Sequence, residues 1–227
     1  MEFSLHRQLK ELYAGPKARF EDRVEHYRID VVLPNRLVEI QLGPLALLRP
    51  KVSHLLQAHD VLIVKPIVVA KQIVRLRKPS GAVLSRRRSP KRGQGWEFFQ
   101  DLIHFCRVFP HPRLRIHVAL VEIEEMRHPG PHHRWGRRGY RVTDQRLVAL
   151  RECIELQRGR DLLRLLPHRP EAPFLSRDLA DVLGVPHWIA QRIAYCLHQC
   201  GVVRRMGKTR AGYVYDWTDH DIAKRAA

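Results

Sequence analysis

The sequence predicts an α/β core followed by a mostly helical domain. Three observations carry this prediction. Runs of β-branched residues surround a helix-like segment between residues 27 and 76, the order helix, helix, hairpin follows residue 143, and the two patterns meet near Tyr140. The chain has 227 residues, which is sufficient for one large domain or two modest ones.

The core elements follow from hydrophobic periodicity and from turn residues. Leucines recur on one face near the start of the chain, and two β-rich runs flank the turn Pro34-Asn35. Pro66 divides a long β-branched run into two strands. The predicted core, residues 1–143, contains a helix over 4–13, strands over 27–33 and 37–42, a helix over 45–58, strands over 61–67 and 68–76, a helix over 96–108 and a strand over 114–123.

Helix and turn signals dominate the last third of the chain. Asp144 is a candidate helix cap, and residues 184–186 (Gly-Val-Pro) form a tight turn between two helices. The elements are a helix over 145–166, shorter helices over 177–183 and 188–200, and a hairpin that ends at Trp217. They define a second domain over residues 144–220, followed by a tail over 221–227.

Positive charge is concentrated in the middle of the chain. Lys and Arg total 41 against 23 Asp and Glu, which gives a net charge of +18 with histidine neutral. Residues 61–160 hold 22 basic and 8 acidic side chains. Such a segment predicts a polyanionic partner, and double-stranded DNA is the expected one. A generally basic, solubilising surface is the alternative.

Two basic loops, over residues 75–94 and 127–141, are expected to contact phosphate. The first holds eight basic side chains and no acid. Arginine binds phosphate oxygens through paired donors, and each neutralised phosphate releases counterions. The candidate phosphate-binding residues are Arg75, Arg77, Lys78, Arg86, Arg87, Arg88, Lys91, Arg92, Arg137 and Arg138.

Other sequence features count against a membrane protein, a secreted protein and a cysteine-based framework. No run approaches the roughly 18 unbroken apolar residues of a membrane span, and the amino terminus lacks the apolar core of a signal peptide. We therefore expect a cytoplasmic protein with no membrane partner. The 4 cysteines form no CxxC pair, which predicts neither a disulfide framework nor a zinc site.

Two carboxylates on the predicted hairpin are the candidate metal site. Asp30 lies on the first strand, and Glu39 and Gln41 point to one face of the second. Adjacent carboxylates repel each other unless a cation lies between them, and Mg²⁺ binds one or two carboxylates together with phosphate oxygens. The pattern predicts a Mg²⁺ or Mn²⁺ site on Asp30 and Glu39, in which the metal activates a water.

These residues also carry a family resemblance. The segment Tyr-Arg-Ile-Asp30-Val-Val, a turn, and Leu-Val-Glu39-Ile-Gln41 resembles the core of the PD-(D/E)XK nuclease superfamily over residues 4–76. The resemblance implies a restriction-endonuclease-like α/β core and a metal-dependent endonuclease that cleaves DNA. Gln41 stands where the superfamily usually has lysine, and similar Glu-x-Gln variants occur in it.

The same resemblance implies roles for residues outside the hairpin. Lys51 on the following helix would replace the missing lysine, and Lys65 is the alternative. Glu21 would supply an acid before the Asp30 strand, and Glu11 is the alternative. The implied catalytic set is therefore Asp30, Glu39, Gln41, Lys51 and Glu21.

The segment 145–217 resembles winged helix-turn-helix domains. In that family the second helix of the motif enters the major groove, and the hairpin, or wing, contacts phosphate. The resemblance implies DNA contacts from Gln191 and Arg192 on the helix and from Arg204, Arg205, Lys208 and Arg210 on the wing. Use of this domain for dimerisation is the alternative, and it would give a homodimer.

Taken together, the patterns predict a DNA-binding protein with a Mg²⁺-dependent nuclease site. Two alternatives stay open. A catalytically inactive nuclease-like scaffold would act as a DNA-binding transcription regulator. A basic RNA-associated protein would use the same charge without cutting nucleic acid.

Overall fold

The computed structural model describes residues 3–79, 81–130 and 139–218. Of these residues, 43% lie in strands and 28% in helices. Two compact units interleave along the chain, whereas the sequence predicts a single boundary near residue 143. The first unit comprises the described parts of Met1–Leu42, Val64–Gln94 and Ala119–Cys153, and the second those of Gly43–Ile63, Gly95–Val118 and Ile154–Ala227.

Strands and short helices alternate along the chain. The strands are β1 (Arg19–Val24), β2 (Tyr27–Leu33), β3 (Arg36–Ile40), β4 (Val61–Leu76), β5 (Val83–Arg88), β6 (Leu114–Pro129), β7 (Tyr140–Leu156), β8 (Phe174–Leu175), β9 (Val203–Thr209) and β10 (Gly212–Trp217). The α-helices are α1 (Ser4–Tyr13), α2 (Arg49–Leu55), α3 (Phe99–Leu102), α4 (Ser176–Leu183) and α5 (His187–Gln199). Turns of 3₁₀ helix cover Leu45–Leu48, Gly95–Phe98 and Gly159–Leu165.

A seven-stranded mixed sheet dominates the fold. Its strand order is β1-β2-β3-β4-β6-β7, and β5 pairs with β4 outside this path. The predicted fold class, a restriction-endonuclease-like α/β core followed by a mostly helical winged-helix domain, is therefore wrong, because the chain is mostly β-sheet.

The largest single error lies in residues 145–166. This stretch is rich in Leu, Arg and Glu, which favour helices, and the sequence predicts a helix there. In the structure it forms most of β7, followed by the 3₁₀ turn Gly159–Leu165. Hydrogen bonding to β6 across the sheet overrides the local helix propensity.

Strands also replace parts of the predicted basic loops. Residues 61–76 form one continuous strand through Pro66, and residues 83–88 pair with it as β5. The second predicted loop shrinks because β6 extends to Pro129 and β7 begins at Tyr140. Of the phosphate-binding candidates there, Arg137 and Arg138 lie outside the described residues.

Helix α1 has the predicted bounds. Leu5 and Leu9 are buried, whereas Leu12, predicted on the same face, is 52% exposed. Within the first unit, His6 and Lys10 on this helix contact residues of β1, β2 and β3. The helix therefore positions basic side chains over the strands that carry the predicted metal site.

The helices α4 and α5 are predicted to within a residue at each end. Gly184 ends α4 with φ of 62°, the left-handed conformation that glycine adopts without strain. Ile193 and Leu197 lie on the buried face of α5. A small sheet in the order β8-β10-β9 completes this part of the second unit.

No helix among the described residues is both long and apolar enough to cross a membrane.

Candidate nucleic-acid interface

Asp30 lies on β2 beneath helix α1. Its Oδ2 accepts a hydrogen bond from the backbone N–H of Ile40 at 2.8 Å, and His6 Nε2 lies 3.3 Å from the same oxygen. Burial alone would raise the pKa of Asp30, but the hydrogen bonds from His6 and Ile40 outweigh it and lower the pKa. The carboxylate is therefore ionised at neutral pH, with its counter-charges inside the fold.

Two further glutamates lie beside Asp30, and we call Glu21, Asp30 and Glu39 the acid row. The pairing of β1 with β2 aligns Phe20 with Val31 and Asp22 with Ile29, which places Glu21 next to Asp30. The pairing of β2 with β3 aligns Val31 with Val38, and Glu39 is the next position along. The acid row therefore crosses three neighbouring strands.

Cations of the protein already contact the acid row. Glu21 forms ion pairs with Lys10 and with Arg28, whose Nε lies 2.7 Å from Glu21 Oε2. Lys10 is only 4% exposed, and Glu39 is 5% exposed. The buried Lys10 therefore supplies Glu21 with the positive charge that a metal ion would otherwise supply.

The contacts of the acid row count against the expected Mg²⁺ or Mn²⁺ site. Mg²⁺ binds one or two carboxylates and keeps several waters, so it needs carboxylates that the fold leaves available. Among the described residues, the three carboxylates form no cluster of three metal ligands, and Glu21 and Asp30 already contact Lys10 and His6. We derive no catalytic step from this site.

Gln41 and Lys51, the other two residues implied for catalysis, are not part of the acid row. The backbone N–H of Gln41 donates to the carbonyl of Val64 at 2.9 Å and joins the end of β3 to β4. Lys51 is half-buried on α2, in the second unit.

The predicted phosphate-binding residues are concentrated on the hairpin of β4 and β5. We call residues 71–92 the basic arm. The register pairs Gln72 with Arg88, Ile73 with Arg87 and Val74 with Arg86, and all six residues of β5 are exposed. Because side chains alternate along a strand, Arg86 and Arg88 lie on one face of β5 and Arg87 on the other.

Acidic residues of β6 partly neutralise the first face. Arg86 forms an ion pair with Glu124, and Arg151 of β7 pairs with Glu122 at 2.9 Å. The hydrogen bond from Arg151 lowers the pKa of Glu122, and the nearby charges of Arg92 and Arg88 lower it further. These cations therefore have counter-charges within the fold.

The second face borders a pocket of about 310 Å³ that contains no carboxylate among its lining residues. We call it the arginine pocket. It is lined by Ile73, Arg75, Leu76, Arg87, Arg127, His128, Pro129, Gly139 and Tyr140. Three guanidinium groups at one concavity make it suited to an anion.

A buried glutamate fixes one of these arginines. Glu125 is 4% exposed, and its Oε1 accepts from Nε of Arg127 at 2.7 Å. Its Oε2 accepts from Lys71 at 2.8 Å and from Gln145 at 2.9 Å. The guanidinium carbon of Arg127 lies 3.9 Å from the ring centre of Tyr140. Arg127 is therefore held in one orientation on two sides.

In the second unit, helix α5 exposes a polar and aromatic stripe. Trp188, Gln191 and Tyr195 are exposed on the side opposite the buried residues. The guanidinium of Arg192, which is half-buried, lies 5.0 Å from the ring centre of Trp188. At the start of the helix, His187 Nε2 lies 2.9 Å from Ser176 Oγ of α4.

The hairpin of β9 and β10 carries exposed cations around an exposed tyrosine. The guanidinium of Arg205 lies 4.1 Å from the ring centre of Tyr213, and Lys208 Nζ lies 5.6 Å from it. Arg210 is exposed next to the turn. Arg204 differs from these residues, because it donates to Asp216 at 2.8 Å and is half-buried.

Composition identified the cations of the basic arm but not the residues beside them in the fold. Arg77, Lys78, Lys91 and Arg92 are exposed at the ends of the arm, as composition alone would suggest. The structure adds Arg127, Tyr140 and Arg151, which come from β6 and β7, and the exposed aromatic residues of the second unit. A stacked Arg–Tyr pair across the neighbouring strands β6 and β7 leaves no local signal in the sequence.

Residues 3–157 match the family described as "Domain of unknown function (DUF8091)". An uncharacterized protein of Treponema pallidum (strain Nichols) is 29% identical over 184 residues, which cover 79% of this chain and 71% of that protein. No solved structure gives a significant match. The matched family segment includes the acid row and the basic arm, and it ends before α4.

Proposed function

We propose that this chain, which belongs to the DUF8091 family, binds double-stranded DNA through exposed cations on each of its two units. The observation that carries the proposal is the basic arm. Among the described residues, Arg75 and Arg87 have no ion-pair partner, although the fold supplies carboxylates to Arg86 and Arg151. Arginines kept without counter-charge at an exposed surface are available to phosphate.

The second unit supports the proposal independently. Helices α4 and α5 with the β9–β10 hairpin follow the order in which helix-turn-helix proteins present a helix to the major groove and a wing to phosphate. Gln191 on α5 is exposed and suited to adenine, while Arg205, Lys208 and Arg210 surround the hairpin turn. In this proposal α5 reads bases, and the hairpin contacts the backbone.

The proposal contains no cleavage step. Asp30 and Glu21 contact His6, Lys10 and Arg28, so the acid row supports internal ion pairing better than a divalent metal. The proposed activity is therefore binding. The competition experiment below distinguishes it from an RNA-associated protein, and the random duplex pool shows whether it has the sequence preference of a transcription regulator.

The experiment measures fluorescence anisotropy of a labelled 20-base-pair duplex with the full chain. We expect the dissociation constant to rise roughly 10³-fold between about 50 and 200 mM salt, as for about six phosphate contacts. Absence of binding at the lower salt concentration, or binding that salt does not change, would overturn the proposal.

Competition identifies the class of nucleic acid. Unlabelled duplex DNA should displace the probe at lower concentration than duplex RNA or single-stranded DNA of the same length. More effective displacement by RNA would overturn the DNA assignment in favour of an RNA-associated protein.

A pair of variants in the second unit separates base reading from phosphate contact. Arg192→Ala should weaken binding to some sequences of a random duplex pool more than to others. Arg205→Ala should weaken binding to all sequences alike and reduce the salt slope by about one. The same uniform loss in both variants would contradict the assignment of α5 as the reading helix.

A further inference from the structure

We propose that the arginine pocket binds a phosphate monoester, either the terminal phosphate of a nucleic-acid strand or a free nucleoside monophosphate. The inference rests on the proposed function and deepens it, because it assigns a discrete ligand to one place on the basic arm. Internal phosphates would bind along the exposed arm, whereas a strand end would enter the pocket.

The pocket combines arginines from three strands around one recess. Arg75 comes from β4, Arg87 from β5 and Arg127 from β6. Arg87 lies opposite Ile73 in the register, so Arg75, two residues further along β4, lies on the same face. Strand pairing therefore brings the three arginines to the lining of one recess.

The charges of Arg75 and Arg87 are not balanced by the part of the chain that the structure describes. Both side chains are exposed, neither has an ion-pair partner there, and no carboxylate lines the pocket. Arg75 and Arg87 repel each other without a counter-ion, since Glu125 balances only Arg127 and Lys71, and a bound anion removes that cost. The arrangement therefore favours a multiply charged ligand.

Arg127 is oriented before any ligand binds. Glu125 accepts from its Nε and from one terminal nitrogen, and the ring of Tyr140 covers one side of the guanidinium. The other terminal nitrogen retains its donors. A guanidinium fixed in this way loses little side-chain entropy when it donates to phosphate oxygens.

His128 is fixed by a local contact. Its Nδ1 lies 2.7 Å from the carbonyl oxygen of Pro129 and donates to it, so Nε2 is the ring atom left for a ligand. Ile73 and Leu76 supply apolar surface to the same pocket. An apolar wall beside a charged recess suits a phosphate attached to a sugar or a base.

Shape and charge favour a monoester over an internal diester. A monoester carries about −1.5 to −2 charges at neutral pH and has three free oxygens, whereas a diester carries one charge. The volume of about 310 Å³ lies at the lower end of the range for small-molecule sites. A phosphate within a duplex is flanked by nucleotides on both sides, which limits how far it can enter a recess, whereas a terminal phosphate is flanked on one side only.

The test compares duplexes that differ only at their ends. Labelled 20-base-pair duplexes carry a 5′-phosphate, a 3′-phosphate or hydroxyl groups only, and anisotropy gives the dissociation constant of each with the full chain. We expect at least fivefold tighter binding to one phosphorylated duplex than to the hydroxyl duplex. Deoxyadenosine monophosphate should abolish this preference, and deoxyadenosine should not.

Arg86 and Arg87 form a matched pair of variants, because they are neighbours on one strand with opposite faces. Both Arg86→Ala and Arg87→Ala remove one charge and should weaken binding to every duplex. Only Arg87→Ala should reduce the preference for the phosphorylated end to within about twofold of unity. Equal loss of the preference in both variants would overturn the assignment to this pocket.

The remaining outcomes separate this inference from the proposed function. Duplex binding with no preference for either phosphate would overturn the inference and leave DNA binding in place. Deoxyadenosine monophosphate bound by the wild type, lost in Arg87→Ala and kept in Arg86→Ala, with no duplex binding, would support the pocket and overturn DNA binding. Absence of both would overturn both.

Discussion

The acid row and the arginine pocket, both in the first unit, differ in where their counter-charges lie. Asp30 accepts hydrogen bonds from inside the fold, and Glu21 pairs with Lys10 and Arg28. Arg75 and Arg87 have no such partner among the described residues. The sequence predicts a metal site on the acids and phosphate contacts on the arginines, and the contacts within the fold leave the arginines, rather than the acids, available to a ligand.

The difference teaches which charges a fold uses for its own stability. A buried charge without a partner destabilises the folded state strongly, so the folded chain provides partners for it. An exposed arginine costs little when it is unpaired and is available to a ligand. We therefore expect changes in the acid row to affect unfolding, and changes in the arginine pocket to affect binding.

Replacing Glu125 should have the largest effect on stability. Glu125 is a buried charge, and it also orients Arg127 of the arginine pocket. Glu125→Ala leaves Lys71 and Arg127 without their shared acceptor, which should lower the free energy of unfolding by about 3 kcal/mol. Urea denaturation followed by circular dichroism measures this loss. Glu125→Gln keeps an acceptor and should lose less. A loss below about 1 kcal/mol in Glu125→Ala would show that Arg127 is held by other contacts.

Asp30→Asn should have a moderate effect that depends on pH. The substitution removes the charge while keeping a side-chain acceptor, and it should lower the free energy of unfolding by about 1–2 kcal/mol at neutral pH. Because the pKa of Asp30 is lowered on folding, its contribution is complete above the ordinary value of 3.8 and is lost as pH falls through the lower folded value.

Urea titrations of the wild type and Asp30→Asn at several pH values check this expectation. The two curves should differ at neutral pH and converge in acid. Asp22→Asn, at a more exposed ion pair with Arg19, serves as the control and should change stability little. A constant difference between wild type and Asp30→Asn down to the lowest pH would contradict the paired state of this carboxylate.

Tyr140→Leu should give the smallest of these effects on stability. It removes the ring that covers Arg127 and should lower the free energy of unfolding by about 0.5–1 kcal/mol. Tyr140→Phe keeps the ring and should match the wild type in thermal unfolding. If Tyr140→Phe loses as much stability as Tyr140→Leu, the hydroxyl group matters and the stacking account is wrong.

Local signals predicted the helices better than they predicted the sheet. The bounds of α1, α4 and α5 follow from periodicity and from the glycines at their ends, which are properties of neighbouring residues. Strand β7 has a sequence that favours helix, and only its pairing with β6 makes it a strand. Strand β1 was missed because its charged residues give no apolar alternation.

The candidate site was predicted only in part for the same reason. Composition alone identified the arginines of β5, since no acid lies near them in sequence. The arginine pocket needs Arg127 and Tyr140, which reach it through the pairing of β4 with β6 and of β6 with β7. The pairing of β4 with β6 joins residues as far apart in the sequence as Lys71 and Glu125, which are 54 positions apart, and cannot be read from spacing.

The central claim is that the basic arm binds DNA through its exposed arginines. It is tested most directly by comparing the loss of three charges from the arm with the loss of three charges elsewhere on the chain. Arg86, Arg87 and Arg88 are replaced by Ala in one variant, and Arg7, Arg19 and Arg23 on α1 and β1 in the other. Both variants lose three positive charges from exposed positions.

The measurement is the dissociation constant of each variant for the 20-base-pair duplex at about 100 mM salt. We expect the β5 variant to bind about 10²-fold more weakly than the wild type, with a salt slope lower by about three. The variant on α1 and β1 should stay within about threefold of the wild type. Equal losses in the two variants would show that net charge alone governs binding, and would contradict the account.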